Sequence, residues 1–204
     1  MSDYATVKDD ATIAKTKEAL EANNFKVTVV EDADAAKDAA LALLPKGAEV
    51  LTMTSKTLEK VGLDTAINDS SDYDAVRPKL NAMYGDESKK GEQRKLGAAP
   101  DYSVGSVAAI TEDGRIIIAS NTGSQLPAHL YGAGHVIFVI GAQKITKNLE
   151  DALQRIDEHV VPLEDVRAQE ACGMHTNLSK LAIINKEVNP DRIHIILAKE
   201  ALGY

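Results

Sequence analysis

The chain has 204 residues, 44% of them hydrophobic and 26% charged, with a formal net charge of −8. That length fits one domain with its own core, and the acidity argues against nucleic acid and anionic membrane surfaces as partners. Aromatic residues make up 4% and Trp is absent, which leaves no base-stacking platform.

Cys172 is the one cysteine. It excludes an intrachain disulfide and a thiolate-held metal or iron–sulfur centre, and it suits a reducing cytoplasm. The polar start MSDYATVKDD does not read as a secretory signal. No apolar run approaches the ~20 residues that span a bilayer.

Residues 12–24 carry helical spacing (Ile13, Thr16, Lys17, Leu20, Asn24), with Asn23-Asn24 as a stop. The β-branched run KVTVV at 26–30 predicts a strand. Asp34 is the expected cap of an alanine-rich helix that ends near Leu44-Pro45-Lys46-Gly47. A second strand is expected over 49–53. Ser55 or Thr54 then caps a short helix, SKTLEKVGL, that stops at Gly62. The order αβαβα is that of a sheet with helical crossovers.

Residues 70–100 break the pattern with mixed charge, DESKKGEQRKLG. They read as a solvated, partly helical insertion or as a lid over a crevice. Asp113-Gly114 between two apolar runs, 104–111 and 115–119, predicts a hairpin. A purely parallel sheet has no such hairpin, so the expected fold is an α/β domain with one mixed sheet flanked by helices. Residues 127–131 suit a short helix ending at Gly132, and 136–140 a central strand. Residues 147–159 and 163–171 predict two helices on one side. Residues 181–185 and 192–198 suit two closing strands joined by a turn at Asn189-Pro190-Asp191.

Candidate chemistry falls in loops that follow strands, because ligands of open α/β sheets bind beyond strand C-termini. Asn121, Thr122, Gly123, Ser124 and Gln125 offer amides, hydroxyls and a flexible backbone; the plain alternative is a self-capping turn. Gly141, Gln143 and Lys144 are expected to lead into a helix whose N–H groups and lysine meet an anion. The plain alternative is an ordinary connection with a solvent-facing Lys144. Replacing Lys144 with Ala is expected to weaken an anionic ligand while leaving the fold intact, as for a surface lysine. Ser55, Lys56 and Thr57 form a third such loop. Together they favour a small anionic ligand. Gly132-Ala133-Gly134 precedes its strand, the wrong side for a dinucleotide fingerprint. Cys172 and His175 are separated by Gly173, which disfavours one helical face, so a silent cysteine is expected. The five histidines show no metal-binding spacing.

Several segments, in order, resemble the lactate-utilization (LUD) domain family: SKTLEKVG (55–62), VGSVAAITEDGRIIIASNTGSQLP (104–127), HVIFVIGAQKITKNLEDALQRI (135–156), VPLEDVRA (161–168) and NKEVNPDRIHIILAKEALGY (185–204). The resemblance covers residues 50–204 and points to a short, stand-alone branch. It implies a fold like that of the ribose-phosphate isomerase, glucosamine-phosphate deaminase and CoA-transferase superfamily. It also implies a role in lactate or 2-hydroxy-acid oxidation beside iron–sulfur partner proteins. The cysteine-rich segment of longer relatives is missing here, so electron transfer would need a separate subunit. No residue matches the glutamate nucleophile of CoA transferases. The alternatives are an enzyme on a sugar phosphate or CoA ester, and a metabolite-binding regulator. Whether the chain forms a homo-oligomer is left open.

Overall fold

The computed structural model describes residues 4–204; the side chain of Cys172, and with it the reading of that residue as silent, lies outside the described residues. Helix α1 (Asp10–Ala22) starts where Asp9 accepts a hydrogen bond from the Thr12 N–H. Strand β1 (Lys26–Val30) follows, then α2 (Ala33–Ala42). The cap of α2 is Asp32, which accepts from the Ala35 N–H, so the expected cap Asp34 falls in the first turn instead. Strand β2 (Glu49–Thr52) leads to α3 (Lys56–Val61), capped by Ser55 and ended by Gly62 at φ 73°. Helix α4 (Leu63–Asn68) completes this half.

The charged segment holds strand β3 (Asp74–Ala75), helix α5 (Val76–Ala82), a 3-10 turn and helix α6 (Lys90–Leu96). Its first part is built into the domain: Val76 is buried and the Arg77 guanidinium donates to the Thr52 carbonyl.

Strands β4 (Tyr102–Gly105), β5 (Ala109–Thr111) and β6 (Ile116–Ser120) come next, then β7 (His135–Gly141), β8 (Ile145–Thr146), α7 (Leu149–Arg155), α8 (Val161–Cys172), β9 (Lys180–Ile184) and β10 (Ile193–Ala198). A π-turn over Ile156–Val160 joins α7 to α8, so the two expected helices form one helical run.

The expected single mixed sheet is two sheets. The larger is parallel throughout, in the order β1-β10-β7-β4-β2-β3. The smaller is mixed, in the order β8-β5-β6-β9. The Asp113-Gly114 hairpin forms as expected between β5 and β6, but in the second sheet. The run 104–111 is not one strand; Ser106-Val107-Ala108 carries the chain from one sheet to the other. The two closing strands also part company: β9 pairs β6 and β10 pairs β7. A local turn signal fixes a hairpin but not the sheet it joins.

Strand β7 is buried on both faces, as its unbroken apolar run requires. Val136, Phe138 and Ile140 enter the core shared with α1 and the small sheet. Ile137 and Val139 enter the core under α2, α3 and α4. Ile117 of β6 faces a third cluster with Ala152 and Ile156. No helix among the described residues is long and apolar enough to cross a membrane.

Candidate functional site

Strands β4 and β7 are neighbours in the large sheet, and β5 and β8 are neighbours in the small one. The two crossings between sheets, 106–108 and 142–144, therefore run side by side. Lys144 stands on the second crossing and reaches the first. Its Nζ donates to Ser106 Oγ at 3.1 Å and to the Val107 carbonyl at 3.2 Å. A third bond, 2.9 Å long, goes to Thr57 Oγ1 at the start of α3.

The plain alternative of a solvent-facing Lys144 is thus overturned, and with it the surface setting assumed for Lys144→Ala, because the residue is 2% exposed. So is the expected entry into a helix: Gly141 leads to a 3-10 turn and then to β8, and α7 begins later at its Asn148 cap. Truncating Lys144 to Ala would vacate a buried site rather than spare the fold. Burial, then the nearby positive charge of Arg155, pushes the Lys144 ammonium down to about 7.

Arg155 is itself fully buried. It donates to the Ala108 carbonyl, while Nε and one terminal nitrogen have no partner among the described residues. Burial lowers its pKa to about 10. Two buried cationic groups, Lys144 on the second crossing and Arg155 on α7, therefore bond to the first crossing in a chain of net charge −8.

A cleft of about 510 Å³ opens over this corner. Ser55, Lys56 and Thr57 line one side, Ser106 to Ala108 and Lys144 the floor, and Asn121, Thr122, Ser124 and Gln125 another side. Glu164, Arg167, His175 and Tyr204 complete the wall. Of the residues proposed from sequence, Ser55, Lys56, Thr57, Asn121, Thr122, Ser124, Gln125 and Lys144 are brought together. Gly123, Gly141 and Gln143 are not on the lining.

Each of those three has close neighbours of its own away from the lining. Gly123 has φ 82°, and a Cβ there would lie 2.5 Å from Lys180 Cδ. Gly141 leaves room for the Gln143 carboxamide. Gln143 binds the backbone of Leu202 and Gly203.

The loop after β6 bonds largely to itself and its neighbours. Thr122 donates to Ser124, Gln125 to the Ala119 carbonyl, and Ser179 to Asn121. Lys56 pairs with Glu59.

Sequence reading did not propose Ser106, nor the Glu164–Arg167 pair with Tyr204, as part of the site. Ser106 sits half-buried where β4 leaves the large sheet. Arg167 holds Glu164, which also accepts from the Tyr204 hydroxyl. Burial pushes the Glu164 carboxyl up, but bonds to Arg167 and Tyr204 outweigh this and hold it below its ordinary value. The motif VPLEDVRA holds Glu164 and Arg167 three apart, a signal that reads equally as a solvated helix face.

His129 lies off the cleft, buried behind Gly105, with Nδ1 3.1 Å from Ser103 Oγ and its ring 4.8 Å from Phe138. Burial, then the charge of Arg192, pushes it down to about 3.

The other histidines have ordinary settings. His135 stacks on Tyr102, His194 bonds Thr28, and His175 bonds Asp165. Gly173, at φ 65°, ends α8 before His175. A smaller hollow of about 250 Å³ lies between Tyr102, His135 and His194, at the opposite ends of the strands. Among the described residues, no group of three or more His, Cys, Asp or Glu side chains could hold a metal ion.

No curated protein matches this sequence. Among solved structures, a DUF162 family protein from Deinococcus radiodurans is similar, with a TM-score of 0.58 and 14% identity. The alignment covers 95% of this chain and 99% of that one. At that identity the likeness speaks for the fold alone. The LUD domain family model matches residues 13–198, nearly the whole described chain, and this protein belongs to the LUD domain family.

Proposed function

We propose that the cleft binds a small carboxylate of the 2-hydroxy-acid or 2-oxo-acid class, and that the protein serves lactate or 2-hydroxy-acid oxidation beside separate iron–sulfur proteins in the cytoplasm. Family membership supports the pathway. One observation carries the ligand class: the Lys144 ammonium on the cleft floor, with Arg155 buried behind it and, among the described residues, no carboxylate bonded to it. A carboxylate entering over Ser106 gains from both cations where the surroundings screen little. The hydroxyls of Ser106 and Ser55 suit the polar end of such a ligand.

The test is thermal stabilisation by lactate, glycolate and pyruvate, set against acetate and glucose 6-phosphate. A ligand at a hundred times its Kd adds about 2.7 kcal/mol. Stabilisation by lactate or pyruvate and not by acetate supports the reading. Stabilisation by the sugar phosphate alone would replace it with an enzyme of phosphorylated sugars.

A further inference from the structure

We propose that Ser106 and Lys144 form a nucleophile–base pair that transfers small acyl groups from esters or thioesters to water. It shares with the ligand-binding reading only the premise that the cleft admits a small molecule.

The hydrogen-bond accounting points this way. Thr57 spends its own proton on the Leu202 carbonyl at 3.0 Å, so toward Lys144 it can only accept. The Val107 carbonyl likewise only accepts. A neutral lysine has two protons and one lone pair. Its two protons satisfy Thr57 and Val107, so the 3.1 Å contact with Ser106, in which the charged ammonium is the donor, reverses in the neutral form and Oγ donates to the lone pair. Ser106 is the one partner able to donate. The neutral amine is thus fully bonded and directed at a serine proton, as a serine–lysine pair requires.

The surroundings fit. Ser106 is half-buried and lines the cleft, whereas Lys144 is sealed beneath it. Val107, Ala108, Ile118 and Ala119 line the cleft next to it, an apolar seat for a short acyl chain. The charged neighbour of Lys144 is Arg155 from α7, and the other titratable groups lining the cleft are Lys56 and Glu59 from α3, Glu164 and Arg167 from α8, His175 and Tyr204. Of these, Arg155 acts with burial to bring Lys144 to about 7, so a large neutral fraction exists at physiological pH.

The steps balance. Lys144 Nζ takes the Ser106 proton as Oγ bonds to the acyl carbon. The carbon–sulfur or carbon–oxygen bond to the leaving group then breaks, and Lys144 returns the proton to the departing thiolate or alkoxide. Water attacks the resulting serine ester and gives a proton to Lys144. The ester bond breaks, Ser106 regains its proton from Lys144, and a carboxylic acid is released.

The experiment uses the full chain with a fluorophosphonate label located by peptide mass spectrometry, and p-nitrophenyl acetate hydrolysis followed against pH. Expected are labelling at Ser106, a rate that rises through pH about 7, and at least a tenfold loss in Ser106→Ala and in Lys144→Met. Ser106→Ala removes one half-exposed hydroxyl and keeps the fold, which a melting curve checks. An unlabelled Ser106 in the wild type, or hydrolysis by Ser106→Ala at the wild-type rate, overturns the proposal. So does a pH limb that persists unchanged in folded Lys144→Met. The two readings fail separately. Carboxylate binding relies on charged Lys144 and weakens above pH 7, whereas acyl transfer relies on the neutral form and strengthens there.

Discussion

Gln143 and Leu202 exchange two hydrogen bonds. The Gln143 carboxamide donates to the Leu202 carbonyl at 3.0 Å and accepts from the Leu202 N–H at 3.2 Å. Both groups are buried. The same carbonyl accepts from Thr57, which in turn accepts from Lys144. The segment Leu202-Gly203 is therefore tied through one side chain to the floor of the cleft.

Replacing Gln143 with Ala is expected to destabilise the protein by about 1–3 kcal/mol, because it leaves buried backbone groups unpaired. Urea denaturation measures the loss. Tight binding of a carboxylate should weaken as well, since Thr57 loses its fixed neighbour. A variant as stable as the wild type would mean that water or a shifted backbone replaces both bonds.

Gly123 carries two separable constraints, a positive φ and the nearness of Lys180 Cδ. Gly123→Ala is expected to cost about 1 kcal/mol or more. In a Lys180→Ala background the contact is gone but the strained φ persists. Part of the cost should then return, giving a favourable coupling in a double-mutant cycle. Full additivity would show that φ alone restricts the position.

Anion binding should be coupled to proton uptake. Free Lys144 titrates at about 7. A bound carboxylate favours the charged ammonium and raises that value. Above pH 7 the free protein is mostly neutral at this site, so it must take up a proton to bind, and affinity falls as pH rises. Calorimetry in two buffers of different ionisation heat, at pH 8, should show an uptake approaching one proton. Lys144→Met should show none and bind weakly.

His129 should make the fold acid-sensitive. Its folded value of about 3 lies below the ordinary 6.5. Between those values the unfolded chain binds a proton that the folded chain does not. Stability therefore falls as pH drops through that window, by up to about 1.4 kcal/mol per pH unit. His129→Gln should show a shallower acid slope in urea titrations between pH 6 and 4. An unchanged slope would place the acid sensitivity elsewhere.

The elements with strong local signals were legible in the residues: KVTVV, the Ser55 cap, the Gly62 stop, the Asp113-Gly114 turn and the two-sided apolar run of β7. These depend on neighbours within a few positions. So did much of the candidate site, since polar residues after strands are a local pattern. Family membership could be recognised from the order of the motifs.

What the sequence could not decide was where chain segments leave one sheet for another. Ser106 and Lys144 are 38 positions apart. They meet because β4 pairs β7 while β5 pairs β8, a pairing set by long-range packing on both faces of two sheets. The same packing seals Lys144 from water, and that desolvation, joined by the charge of Arg155, pushes its ammonium down to about 7. Residue type supplied the ammonium and the hydroxyl; the tertiary structure supplied their burial and their contact.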